Sequence, residues 1–353
     1  MALLKDYLAQ KLIFENHPAM DSETCLNMIQ TKQPCTVCKE ICPNQVFHGE
    51  DPNWDVCDGC GVCVAHCPTR CLRPSSLLSE RILELCRRVT GDVTFSCSEQ
   101  ENTADLKAPC LSALPWELIA LFALDGTVTL AMNGCEACPK RGLLCHFEQT
   151  LASIRLFLGD ERFQASVVRC SDSTVLQEEN ERTYSRRDAF RLAFTKSKAA
   201  ATGLLPENKE LSPDGMLCRH LLAHRLRQFE PVKSDLSLPV PEFTETCTAC
   251  GLCTKVCPAQ ALHRMVDETE DGRKNWYMAL IPWRCTACGL CSVSCPTESL
   301  AEPHWKIHAN VLAPVLHPVD AVPCPRCGEP MPPEQATELC PRCQAEASSP
   351  FVW

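Results

Sequence analysis

Cysteines at fixed short spacings constrain this chain more than any other feature. The run Cys57-x2-Cys60-x2-Cys63-x3-Cys67-Pro68 recurs as Cys247-x2-Cys250-x2-Cys253-x3-Cys257-Pro258 and as Cys285-x2-Cys288-x2-Cys291-x3-Cys295-Pro296. A truncated version, Cys35-x2-Cys38-x3-Cys42-Pro43, precedes the first of these and carries Lys32 where the leading cysteine would stand. Thiols this close suit a metal group better than mutual pairing: a tight loop can aim three of them at one point, whereas a disulfide framework joins distant segments. The 29 cysteines in 353 residues are an odd number, in a chain far longer than the small secreted domains that reach such density through disulfides. The chain is therefore expected in the cytoplasm, where thiols stay reduced.

These runs resemble bacterial-type 4Fe-4S ferredoxins, in which the fourth cysteine of each run serves the other run's cluster. The resemblance implies one cluster on Cys247, Cys250, Cys253 and Cys295, and a neighbour on Cys285, Cys288, Cys291 and Cys257. In the amino-terminal block it implies a full site from Cys57, Cys60, Cys63 and Cys42, so three 4Fe-4S clusters are expected. The sister site keeps only Cys35, Cys38 and Cys67. Three readings stay open for it: a fourth cluster completed by Cys25 or Cys71, a labile cluster on three ligands, or a vestigial empty site. Zinc alone is disfavoured for these runs, because structural zinc sites use paired CxxC knuckles and not triplets.

Such knuckles do occur near the carboxy end. Cys324-Pro-Arg-Cys327 and Cys340-Pro-Arg-Cys343 are separated by twelve residues and read as a zinc ribbon, with a rubredoxin-like iron site as the competing reading. The prolines around them describe a short loop-rich module that needs its metal to hold together.

Between the ferredoxin-like runs the texture changes. A helix is expected from Ser79 to a stop at Gly91, with Ser79 as its cap, then a strand Val93–Cys97, a helix Pro115–Leu124, a strand Val128–Met132, a helix Gly142–Leu158 and a strand Ala165–Cys170. Strand and helix alternation of this kind suggests a small α/β layer with a parallel sheet, whose strand ends gather the chemistry on one edge. The Phe95-Ser-Cys97 strand end, the Cys110-to-Gly126 helix segment and the apolar strand ending in Gly134-Cys135 resemble the iron-sulfur delta subunit of methyl-viologen-reducing hydrogenase, although that family spaces its later two cysteines more widely than Cys135 and Cys138. By that resemblance Cys97, Cys110, Cys135 and Cys138 would bind a 2Fe-2S cluster, with Cys145 in reserve. A redox dithiol at Cys135 and Cys138, or small buried cysteines of a core, are the other readings. Cys86 and Cys218 are assigned to packing.

The expected fold is α+β and multidomain: two ferredoxin-like iron-sulfur modules flanking a small α/β domain, plus a C-terminal zinc ribbon. The boundaries are a ferredoxin-like module at 1–78, the delta-subunit-like domain at 79–180, a helical basic segment with a Pro-containing linker at 181–240, a dicluster 4Fe-4S ferredoxin module at 241–303, and a linker with the zinc ribbon at 304–353. From Arg182 to Lys233 basic residues outnumber acidic ones, on two amphipathic helices expected at Ser185–Ala201 and Asp214–Phe229. This segment is either a solvated face or a docking surface for an acidic partner.

A formal net charge of −10 argues against nucleic acid as the main partner. No apolar stretch reaches the length of a membrane span, and the residues Met1–Asp21 lack a signal-peptide core, so no direct membrane insertion is expected. There is no GxGxxG opening a helix, no GxxxxGK[ST], no HExxH and no CxxxCxxC radical signature. His66, His146, His220 and His224 read as surface or core residues rather than ligands. The leading expectation is a multi-cluster electron carrier without catalytic residues of its own. It would serve the subunits of an anaerobic redox enzyme, of hydrogenase, formate dehydrogenase or molybdopterin oxidoreductase type, in a hetero-oligomeric complex. A maturation or scaffold protein for such an enzyme is the alternative, and a thiol oxidoreductase using Cys135 and Cys138 the third.

Overall fold

A computed structural model describes residues 17–29, 34–49, 51–74, 76–88, 91–100, 102–171, 216–228, 236–270, 272–335, 338–340, 343, 344 and 347. The chain falls into two compact units, Met1–Ser237 and Leu238–Trp353. Both mix helices with small sheets, which is an α+β composition. No helix among the described residues is long and apolar enough to cross a membrane.

The first unit opens with Ala19–Met20 (β1), Leu26–Ile29 (α1), Val37–Ile41 (α2), Val62–His66 (α3) and Leu72–Arg73 (β2). β1 and β2 pair antiparallel, Met20 opposite Leu72. Ser76–Arg88 (α4) then leads to Val93–Cys97 (β3), Leu106–Ala108 (β4), Trp116–Ala123 (α5), Val128–Ala131 (β5), Leu144–Leu158 (α6), Asp160–Ser166 (α7) and Val167–Cys170 (β6). The four strands form one sheet in the order β4-β3-β5-β6, every pair parallel. Each end of α5 is where the sequence put it: Pro115 stands just outside the first turn, and the chain leaves at Leu124. Seven of its eight residues are buried, as befits a helix that is apolar almost all round and sits at the centre of a layer. Leu217–Gln228 (α8) packs on α5, burying Cys218 as expected. Gly126 touches the backbone of Gly91, where an added Cβ would lie 2.2 Å from a carbonyl carbon, so only glycine lets the two turns meet.

Three local expectations change. α4 begins at Ser76, so Ser79 is a buried residue of the first turns and not the cap. β4 was not anticipated: three residues among charged neighbours carry too little alternation to register as a strand. α7 continues to Ser166, so the last strand starts at Val167, two residues later than Ala165. The expected helix Ser185–Ala201 lies outside the described residues.

Leu236–Val240 (β7), expected as linker, is a strand that pairs with His304–His308 (β10); its alternating leucines and valine are buried. Between them run Leu252–Val256 (α9), Leu262–Glu268 (β8), Lys274–Leu280 (β9) and Leu290–Ser294 (α10). β8 and β9 form a hairpin, and Val315–Val319 (β11) adds antiparallel to β9. Val322–Pro323 (β12) and Pro330–Met331 (β13) make the short ribbon of the tail.

Candidate metal centres

The dicluster runs of the second unit cross over as ferredoxin runs do. One cavity is lined by Cys247, Cys250, Cys253 and Cys295, and another by Cys257, Cys285, Cys288 and Cys291, each of about 20 Å³. Repeated left-handed backbone makes this convergence: Ala249 and Gly251 have φ of 51° and 76°, and Ala287 and Gly289 have 58° and 74°, on either side of the middle cysteine. A further left-handed residue follows each Cys-Pro, at Gln260 and Glu298 with φ of 49° and 51°. That turn brings amide N–H groups back onto the sulfur, Ala261 to Cys257 Sγ at 3.3 Å and Ser299 to Cys295 Sγ at 3.2 Å. Such donors stabilise thiolate and tune a bound cluster. Burial, then Cys247, Cys250 and Cys295, push the Cys253 thiol up to about 12. Burial also raises Cys295, but the Thr297 hydroxyl and the Ser299 N–H outweigh it and bring that thiol below its ordinary value.

In the first unit Cys57, Cys60 and Cys63 wrap the same loop, with Gly59 and Gly61 at φ of 68° and 75°. Burial raises the Cys63 thiol most, followed by Cys60, Cys42, Cys57 and Cys38. The remaining five cysteines of the block, Cys25, Cys35, Cys38, Cys67 and Cys71, line a second cavity of about 180 Å³. Burial and then Cys35, Cys67 and Cys25 push the Cys38 thiol up to about 11. Cys67 Sγ lies 3.4 Å from Cys71 Sγ, and the hydrogen bond from Cys71 draws Cys67 down to about 5. Lys32 lies outside the described residues.

The third centre sits at the carboxy edge of the parallel sheet. Cys97 ends β3, Cys110 follows β4, and Cys135 and Cys138 occupy a short 3₁₀ turn after β5, opened by Gly134 at φ 78°. After burial, Cys97, Cys110 and Cys138 push the Cys135 thiol up to about 11. Gln100 holds the loops together: its amide donates to the carbonyls of Ala131 (3.1 Å) and Asn133 (2.9 Å). Cys145, the reserve ligand, is exposed on α6 with its thiol on the Gly142 carbonyl at 3.2 Å.

This centre abuts the amino-terminal one. Cys60, Val62 and Leu143 form one buried cluster against which Ile41 and Cys110 pack. Gly61 comes so close that an added Cβ would lie 2.7 Å from the Ala113 Cβ. Lys140 pairs with Asp58 at 3.3 Å and feels both the Cys60 and the Cys110 thiols. Sequence reasoning missed the clamp beside this seam. Glu117 of α5 is fully buried between Arg70, three residues after Cys67, and Arg219 of α8.

In the tail, the sulfurs of Cys324, Cys327, Cys340 and Cys343 all lie within 4.8 Å of one another. The N–H of Cys340 reaches Cys324 Sγ at 3.4 Å, and this bond leads the causes that draw Cys324 down to about 6. Four thiols around one point fit a single tetrahedral metal ion.

Residues 246–299 match the family model of the 4Fe-4S dicluster domain, and residues 51–73 match that of the 4Fe-4S binding domain. No curated protein matches the chain. The chain carries two ferredoxin-type 4Fe-4S domains, and these mark it as an iron-sulfur protein of the electron-transfer kind.

Proposed function

We propose that the protein relays single electrons between a donor and the catalytic subunit of an anaerobic redox enzyme, of hydrogenase, formate dehydrogenase or molybdopterin oxidoreductase type, as a cytoplasmic member of a hetero-oligomeric complex. In this reading Cys247, Cys250, Cys253 and Cys295 hold one 4Fe-4S cluster, Cys257, Cys285, Cys288 and Cys291 a second, and Cys42, Cys57, Cys60 and Cys63 a third. Cys97, Cys110, Cys135 and Cys138 hold a 2Fe-2S cluster in a delta-subunit-like domain, and the tail tetrad holds zinc. The module boundaries at 78, 180, 240 and 303 belong to the same proposal.

The observation that carries the reading is the shared wall of Cys60, Val62, Leu143 and Cys110. Iron-sulfur clusters supply one-electron transfer with little change of shape. The chain's own residues pack one thiol of each set, Cys60 and Cys110, against one apolar wall and place a cation, Lys140, near both. A scaffold needs neither adjacency nor an apolar seam.

The test is anaerobic stopped-flow with the full chain and the enzyme that co-purifies with it. A low-potential donor should bleach the visible absorption, and enzyme with its acceptor should restore it within turnover time. Cys60→Ser should slow the return without preventing complex formation. Full turnover with Cys60→Ser and Cys288→Ser would make the scaffold reading the correct one.

A further inference from the structure

The truncated run departs from the complete ones in a way that backbone geometry makes definite. Complete runs need left-handed backbone on both sides of the middle cysteine, supplied by Gly59 and Gly61, Ala249 and Gly251, or Ala287 and Gly289. The equivalent positions around Cys35 are Pro34 and Thr36. Proline is locked near φ −65°, and Thr36 has φ −109°. This segment cannot wind a triplet of thiols around one face, so the substitution at Lys32 is matched by a different loop. Cys35 and Cys38, joined by Cys67 from the other run, leave one corner of a cubane open.

Another segment is tied to that corner. Asn27 Nδ2 donates to the Cys35 carbonyl at 2.8 Å, and the Cys35 N–H donates to Asn27 Oδ1 at 2.7 Å, a two-bond clamp from α1 to the loop. On its other side the segment is fixed to the second run by the β1–β2 pairing, by Asp21 N–H on the Cys71 carbonyl at 2.9 Å, and by the Arg73–Asp21 pair at 2.8 Å. Between these ties lies Cys25, which lines the same cavity as Cys35, Cys38 and Cys67. At about 180 Å³ that cavity is roomier than the two cavities, each about 20 Å³, within the matched dicluster domain, so space is no obstacle.

Cys71 lines the cavity too, but its position disqualifies it. Its sulfur is 3.4 Å from that of Cys67, four residues away. Cys71 is carried on the same turn as Cys67, whose carbonyl accepts from the Arg70 N–H at 3.2 Å, so it offers no approach that Cys67 does not already take, whereas Cys25 comes from a separate segment.

We propose that Cys25 is the fourth ligand of a 4Fe-4S cluster at Cys35, Cys38 and Cys67, and that Cys71 is not a ligand. This rests on the reading of the chain as a multi-cluster iron-sulfur protein. The experiment uses the full chain, reconstituted anaerobically, with iron and sulfide analysis, Mössbauer and EPR spectra. Cys25→Ala should lose about four iron and four sulfide per chain, or about one iron with the appearance of a 3Fe-4S signal, while the other clusters' spectra persist and certify the fold. Cys71→Ala should keep the full count of iron and sulfide. Full iron with an unchanged spectrum in Cys25→Ala overturns the assignment, as does loss of the cluster in Cys71→Ala but not Cys25→Ala. Absence of clusters from every site of the wild-type chain overturns the underlying reading instead.

Discussion

Replacing Glu117 by glutamine tests the seam that holds the amino-terminal module on the sheet. Glu117 Oε1 accepts from Arg70 at 2.7 Å and from Arg219 Nε at 3.1 Å, and Oε2 accepts from Arg70 at 3.0 Å. Side-chain exposures of 11% for Arg70, 6% for Arg219 and 2% for Glu117 leave little room for water to replace a lost partner. Removing one member of a buried ionic group costs about 3–5 kcal/mol, since the remaining charges stay desolvated. Glutamine keeps one acceptor oxygen, which puts Glu117→Gln near 3 kcal/mol, and alanine near 5. For a unit of this size each kcal/mol moves the melting temperature by about 2–4 °C, so Glu117→Gln should melt about 6–12 °C lower, read by circular dichroism on anaerobic holoprotein. Burial raises the Glu117 pKa, but Arg70 and Arg219 outweigh it and the net shift is downward. A lowered folded pKa gives stability that is complete above the unfolded value, about 4.3, and is lost only as pH falls through the folded one. The gap between wild type and Glu117→Gln should therefore be constant from pH 8 to pH 5. A gap under about 1 kcal/mol, or one that halves across that range, refutes the reasoning.

Gly61→Ala should cost more than Gly251→Ala. Both pay about 1–2 kcal/mol for left-handed backbone, but only Gly61 meets a neighbour's Cβ, at 2.7 Å, and the difference is checked by denaturant midpoints and by the iron retained at the first site. Gln100→Leu removes two donors from the Ala131 and Asn133 carbonyls, about 2 kcal/mol in all; iron at the sheet-edge centre should fall while the cubane signals persist. Chelation of the tail metal should make the chain after residue 320 protease-sensitive and leave the visible iron-sulfur absorption unchanged, with metal analysis returning about one zinc per chain. Lys140→Ala removes a pair whose partners are 28% and 33% exposed, so stability should change by no more than about 1 kcal/mol and less as salt rises.

What was legible in the sequence was whatever a short spacing or a strand period encodes. The crossing of Cys257 with Cys285, Cys288 and Cys291 follows from a repeated loop, and the places of Cys97 and Cys135 follow from strands that end where the hydrophobic run ends, whereas Cys110 follows β4, which the sequence did not show. Long-range ties were not legible. Spacing alone does not distinguish Cys25 from Cys71; the clamp from Asn27 onto Cys35 and the pairing of β1 with β2 do, and the second depends on chain that is distant in sequence. Glu117 stands in the first turn of α5, a usual place for an acid, so the sequence does not single it out. Its burial comes from α8 packing a hundred residues later, with Arg219 brought beside it. Ser79 misled because a serine before an apolar run is a cap signal, but the helix already begins three residues earlier, at Ser76.

The central claim is that two cluster sites share the Cys60–Cys110 wall and pass electrons across it. The most direct measurement is the EPR spectrum of the fully reduced chain, compared with that of Cys110→Ala. Two paramagnets held this close split each other's lines. The account predicts that one spin–spin splitting of the wild-type spectrum is lost in Cys110→Ala, while the couplings within the two ferredoxin-type modules persist. Splittings that are unchanged by that substitution contradict it.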